Sequence, residues 1–86
     1  MTELQAREAV LKAAWNVGET WALMALTSDE VKTPLEAELP AIVITLIGND
    51  RLLRDVAFCQ AAIATMRESA IRTTQRVEAE SPRTMH

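Results

Sequence analysis

The chain has 86 residues, a single cysteine and a formal net charge of −3 at neutral pH. That length allows one domain and no internal disulfide, and the lone Cys59 suits a reducing compartment. The acidic balance argues against nonspecific nucleic-acid binding, which needs a net positive face.

The first predicted helix covers about residues 2–26. Thr2 and Gln5 have the spacing of a capping box, in which each side chain satisfies a free backbone N–H of the other residue. Two apolar stripes follow, Val10–Ala14–Val17–Trp21–Met24 and Leu4–Leu11–Trp15–Gly18–Ala22–Ala25. Steps of three and four keep each stripe on one side of a helix. Between residues 9 and 26 only Lys12 and Glu19 are charged. A helix apolar around most of its circumference is expected to be buried on more than one side.

The segment LTSDEVKTPLE ends this helix and opens the next. Thr27 with Glu30 and Thr33 with Glu36 are possible capping boxes, Pro34 suits a first helical position, and a short helical turn at 29–32 could lie between them. Residues 34–47 read as a second helix, with Leu35, Leu39, Ile42, Val43, Leu46 and Ile47 on one face and Pro40 off it. The β-branched run AIVITLI would also serve as a buried strand, though only by pairing with a strand of a second chain.

Gly48 is placed to end the second helix, and Asn49 or Asp50 to cap a third over about 50–78. Leu52, Val56, Cys59, Ile63, Met66, Ala70, Thr73 and Val77 follow at alternating steps of four and three, a heptad stripe. Leu53, Phe58 and Ala62 add apolar surface beside it. The third helix is expected to outreach the other two, and residues 79–86 read as a disordered tail.

WNVGETW, residues 15–21, is the least ordinary stretch. A glycine inside a helix costs about 1 kcal/mol relative to alanine, so something should offset it. Gly18 adjoins Ala14, Ala22 and Ala25 on the helix surface, a shallow groove where another helix could come close, with Trp15 and Trp21 at its sides. A small apolar ligand held between the two indoles is the competing reading.

Catalytic chemistry finds little support. The only histidine is His86, the last residue, which leaves Cys59 without an activating base and removes Ser-His, Cys-His and most zinc arrangements. Gly18 and Gly48 stand alone, so there is no glycine-rich phosphate loop. Glu30, Glu36 and Glu38 read as a solvated acidic surface. Arg51 and Arg54 would head the recognition helix of a helix–turn–helix, but Asp50 and Asp55 flank them and Leu52 and Leu53 occupy base-reading positions. Arg67, Arg72 and Arg76 could dock an acidic protein surface, although nearby glutamates account for most of them.

Residues 1–49 carry three basic and seven acidic side chains, so this half could meet a basic partner. Glu3, Arg7 and Glu8 interrupt any signal-peptide core, and the longest apolar run, residues 39–47, is well short of the ~20 residues that span a bilayer. The expectation is therefore a soluble cytoplasmic all-α protein: residues 1–78 form a small three-helix bundle completed by homodimerisation. Its interface candidates are Ala14, Trp15, Gly18, Trp21, Ala22 and Ala25 on the first helix, and Leu52, Val56, Cys59, Ile63 and Met66 on the third. The expected role is a non-enzymatic protein-interaction module (adaptor, small inhibitor or assembly subunit) without metal or cofactor. The alternatives are a small helical DNA-binding regulator and a carrier of a small apolar ligand.

Overall fold

In a computed structural model, residues 2–27 and 35–80 are described. The expected features at 28–34 (the caps at Glu30 and Thr33, Pro34, the turn at 29–32) and most of the C-terminal tail lie outside them. The described residues form four helices and no strand: α1 (Glu3–Thr27), α2 (Leu35–Ile47), α3 (Asp50–Leu53) and α4 (Val56–Glu80). The described part of the chain is all-helical.

Local chemistry sets most of the ends. The Thr2–Gln5 box forms in both directions: the Thr2 amide donates to Gln5 Oε1 at 2.8 Å and the Gln5 amide to Thr2 Oγ1 at 3.1 Å. Residues 41–47 are helix, not strand, and Pro40 sits on the exposed side of α2. Gly48 terminates α2 with φ of +57°, a left-handed conformation that costs an L-residue about 1–2 kcal/mol. Asn49, rather than Asp50, caps α3: its Oδ1 accepts from the amides of Arg51 and Leu52.

The third predicted helix is corrected. It is not continuous over 50–78 but breaks at Arg54–Asp55, and α4 runs on to Glu80. Asp55 makes the break, because its Oδ1 accepts from the Phe58 amide at 3.0 Å and caps a new helix. With α3 split off, α1 and α4 have 25 residues each, so neither outreaches the other.

α1 and α4 run parallel. Arg7 meets Asp55, Trp15 meets Ser69 and Glu19 meets Arg76, in the same order along both helices. α2 runs back between them in direction, from Glu36 beside Arg67 to Gly48 at the start of α3. The core joins Val10 and Ala14 of α1, Leu39, Val43 and Ile47 of α2, Leu52 of α3, and Phe58, Ala62 and Met66 of α4.

The α4 stripe is also corrected. Its buried face is Phe58, Ala62, Met66, Ser69 and Thr73, while Val56 is 66% exposed. At ~100° per residue this face is turned by about 70° from the heptad stripe. The cause is the partner helix. α1 offers Val10, Ala14, Gly18 and Ala22, small side chains four apart, and α4 answers with the residues that let two backbones meet. Val56 is displaced to the flank.

Candidate interaction surface

Gly18 is the point of closest approach. A Cβ there would overlap the backbone carbonyl oxygen of Met66 and stand 3.0 Å from Ser69 Cβ. The Ser69 hydroxyl donates to the Trp15 carbonyl, so the one fully buried polar side chain at this crossing is satisfied. The expected close helix contact at Gly18 therefore exists within the chain.

That placement decides what remains for a partner. Ala14, Gly18, Ala22, Leu52 and Met66 are buried inside this chain and offer no surface. Trp15, Cys59 and Ile63 are half-buried; the Cys59 thiol faces the Leu52 and Leu53 carbonyls at 3.8 and 3.5 Å. Trp21 is half-buried, and Ala25 and Val56 are exposed.

Trp21 lines a groove of about 350 Å³ between α1 and α2, with Val17, Ala41, Ile42, Thr45 and Leu46. A second hollow of about 240 Å³ continues it along α1 through Val17 and Trp21 to Thr20 and Met24. No lining residue of either is charged. Thr45 adds to the apolar character, because its hydroxyl is engaged by the Ala41 carbonyl at 3.0 Å. Val17, Trp21 and Met24 belong to one of the two stripes read from sequence. Ala41 and Thr45 on α2 were not singled out; they sit beside Ile42 and Leu46 at helical spacing, and that was the available signal.

Trp15 lines neither hollow. Six residues of helix turn the two indoles about 120° apart, so they cannot face each other across one slot. The open trough at Trp21 also lacks the enclosure that small-molecule sites use to cover most of a ligand.

The arginines are largely engaged. Arg67 reaches Glu36 of α2 with Nη2 at 2.6 Å and Nε at 2.8–2.9 Å from its two oxygens, Arg76 reaches Glu19 of α1 at 3.5 Å, and Arg72 pairs with Glu68 at 3.0 Å. Glu36 is thus a tie between helices and not simply solvated acid. Hydrogen bonding to Arg67 holds its carboxyl below the usual range and pushes the guanidinium up. Two of the three ties cross between helices, which local spacing did not show.

At the other end, Arg7 lies 2.9 Å from Asp55 Oδ2 and stacks 4.8 Å from the centre of the Phe58 ring. Asp55 is held below its ordinary pKa first by the Phe58 amide and then by Arg7. Arg51 pairs with Glu3 at 3.4 Å. A recognition helix starting at Arg51 does not form, since α3 ends at Leu53 and Leu52 is buried.

Among the described residues, no group of three His, Cys, Asp or Glu side chains is placed to hold a metal ion, and no helix is long and apolar enough to cross a membrane. No family model, curated protein or solved structure matches the chain.

Proposed function

We propose that this protein is a non-enzymatic, cytoplasmic protein-interaction module that docks through the groove between α1 and α2. It would act as an adaptor, a small inhibitor or an assembly subunit, with the bundle completed by homodimerisation. One observation carries the reading: a charge-free trough of about 350 Å³, lined by Val17 and Trp21 of α1 and by Ala41, Ile42, Thr45 and Leu46 of α2, lies open between the two helices. An apolar face of this kind is stabilised when a partner covers it, and a large half-exposed tryptophan is the residue type that anchors interfaces.

The test is a photo-crosslinking residue at position 45 in the chain expressed in its own host. A discrete adduct, to a second copy or to another polypeptide, is expected there, and none from the same label at the exposed Glu8. Equal labelling at both positions, or no adduct at position 45, overturns the reading.

A further inference from the structure

We propose that the break at Arg54–Asp55 is a hinge. When it straightens, α3 and α4 join into one helix over 50–80, and α4 packs on α1 of a second copy, giving a domain-swapped dimer. The exchange runs through the core and does not involve the groove.

The backbone does not impose the break. No glycine or proline lies between Asn49 and Glu80. Arg54 already has helical angles, φ −79° and ψ −13°. In an unbroken helix the amides of Val56, Ala57 and Phe58 would bond the carbonyls of Leu52, Leu53 and Arg54. Side chains stand in for several of these bonds. The Asp55 carboxylate accepts from the Phe58 amide at 3.0 Å, and the Cys59 thiol faces the Leu52 and Leu53 carbonyls at 3.8 and 3.5 Å. The Leu52 carbonyl also accepts from the Asp55 amide at 3.1 Å. Local bonding is therefore met in the broken form and in the straight one, and tertiary contacts choose between them.

Two apolar faces compete at this point. Leu52 and Phe58 are both in the core. Six positions stand about 120° apart on one helix, so a continuous helix turns one of the two away from the place it holds. Leu52, Val56, Cys59 and Ile63 share a side only when the helix does not break. Arg7 favours the broken form: it lies 2.9 Å from Asp55 Oδ2 and 4.8 Å from the centre of the Phe58 ring, and so holds the capping carboxylate in place. If α4 instead extends α3, it leaves α1 bare, and the surface that fits α1 is α4 of another copy. The contacts of Gly18 with Met66, Trp15 with Ser69 and Glu19 with Arg76 then re-form between chains. Only the hinge changes, which is why exchange is a low-cost route to a dimer.

Two substitutions push the hinge in opposite directions. Asp55→Ala removes the cap and supplies the best helix former. Val56→Pro suits the first position of α4, but in a continuous helix its ring would clash with the Leu52 carbonyl. Each full-length chain is refolded at near-millimolar concentration, diluted, and treated with a short bis-maleimide. Glu19→Cys and Arg76→Cys supply the reactive thiols in a Cys59→Ser background. Residues 19 and 76 meet across α1 and α4. They are joined within one chain in a monomer, or in a dimer closed by an outer surface, and between chains only after exchange. Between-chain product is expected from the parent chain, in about tenfold or greater yield from Asp55→Ala, and none once Val56→Pro is added to either. No between-chain product from the parent and Asp55→Ala chains, or product that persists with Val56→Pro, overturns the proposal. If Asp55→Ala does not fold, the parent chain against Val56→Pro decides by the same readout.

Discussion

Gly18 of α1 lies against the backbone carbonyl of Met66 of α4, so near that there is no room for a Cβ. The glycine is required by a neighbouring main chain, not by its own conformation. It sits inside a regular helix, where alanine would be intrinsically better by about 1 kcal/mol. Gly18→Ala therefore separates the two effects by sign. The expectation is a loss of roughly 1–3 kcal/mol in urea unfolding, because the obstacle is backbone and cannot turn aside. A stabilised Gly18→Ala chain would mean that the helices are not this close.

Ser69 belongs to the same crossing. Its hydroxyl is buried and donates to the Trp15 carbonyl. Ser69→Ala keeps the size but removes that bond, and should cost about 1 kcal/mol. Ser69→Val keeps no bond and adds volume beside Gly18, so it should lower the thermal midpoint further. The order Ser, Ala, Val in midpoint checks both the bond and the space.

The rotation of the α4 face has its own contrast. Phe58 is in the core and Val56 is exposed, although the heptad stripe ranks them the other way. Phe58→Ala is expected to cost about 3–5 kcal/mol. Val56→Ser should stay within about 0.5 kcal/mol. Equal losses at the two sites would restore the heptad stripe.

Asp55 and Glu36 predict the acid limb of stability. Both carboxyls are held below their ordinary values of 3.8 and 4.5, by the Phe58 amide with Arg7 and by Arg67 respectively. A depressed acid contributes stability that is fully present above its unfolded pKa and lost as pH falls through its folded one. Unfolding free energy should thus be flat in this respect above about pH 5 and fall below it. Asp55→Asn should flatten part of that slope, and since Asn also caps helices, it should cost less at neutral pH than Asp55→Ala. An unchanged slope in Asp55→Asn would show that neither the Phe58 amide nor Arg7 holds the carboxylate in solution.

Much of the secondary structure was legible because its causes are local. The Thr2–Gln5 box, the Gly48 stop and the Asn49 cap each involve residues within a few positions of one another, and each forms. The break at Asp55 was local too, yet it was missed. A run of apolar residues at steps of four and three passes straight through it and reads as one continuous helix.

The candidate surface was only half legible. Val17, Trp21 and Met24 stood out within one stripe together with Ala14, and Gly18 with Ala14, Ala22 and Ala25 stood out as a groove of small residues, but a single chain offers no means of telling which side its own α4 will cover. Small residues allow close backbones and large ones do not, so α4 settles on the glycine–alanine side. Trp21 is then left at the edge with α2, where Ala41 and Thr45 complete a trough.

By itself the sequence determined that the chain is helical and where most of its helices start and stop, and it marked Gly18 as a place where another helix could come close, since each follows from short-range bonding or from the cost of a missing side chain. Only the tertiary structure decided that the other backbone is α4 of the same chain, that α4 turns Phe58 rather than Val56 inward, and that Arg67 and Arg76 tie helices together. Those outcomes depend on which surfaces can approach most closely in three dimensions, and spacing along one helix carries no record of the shape of the next.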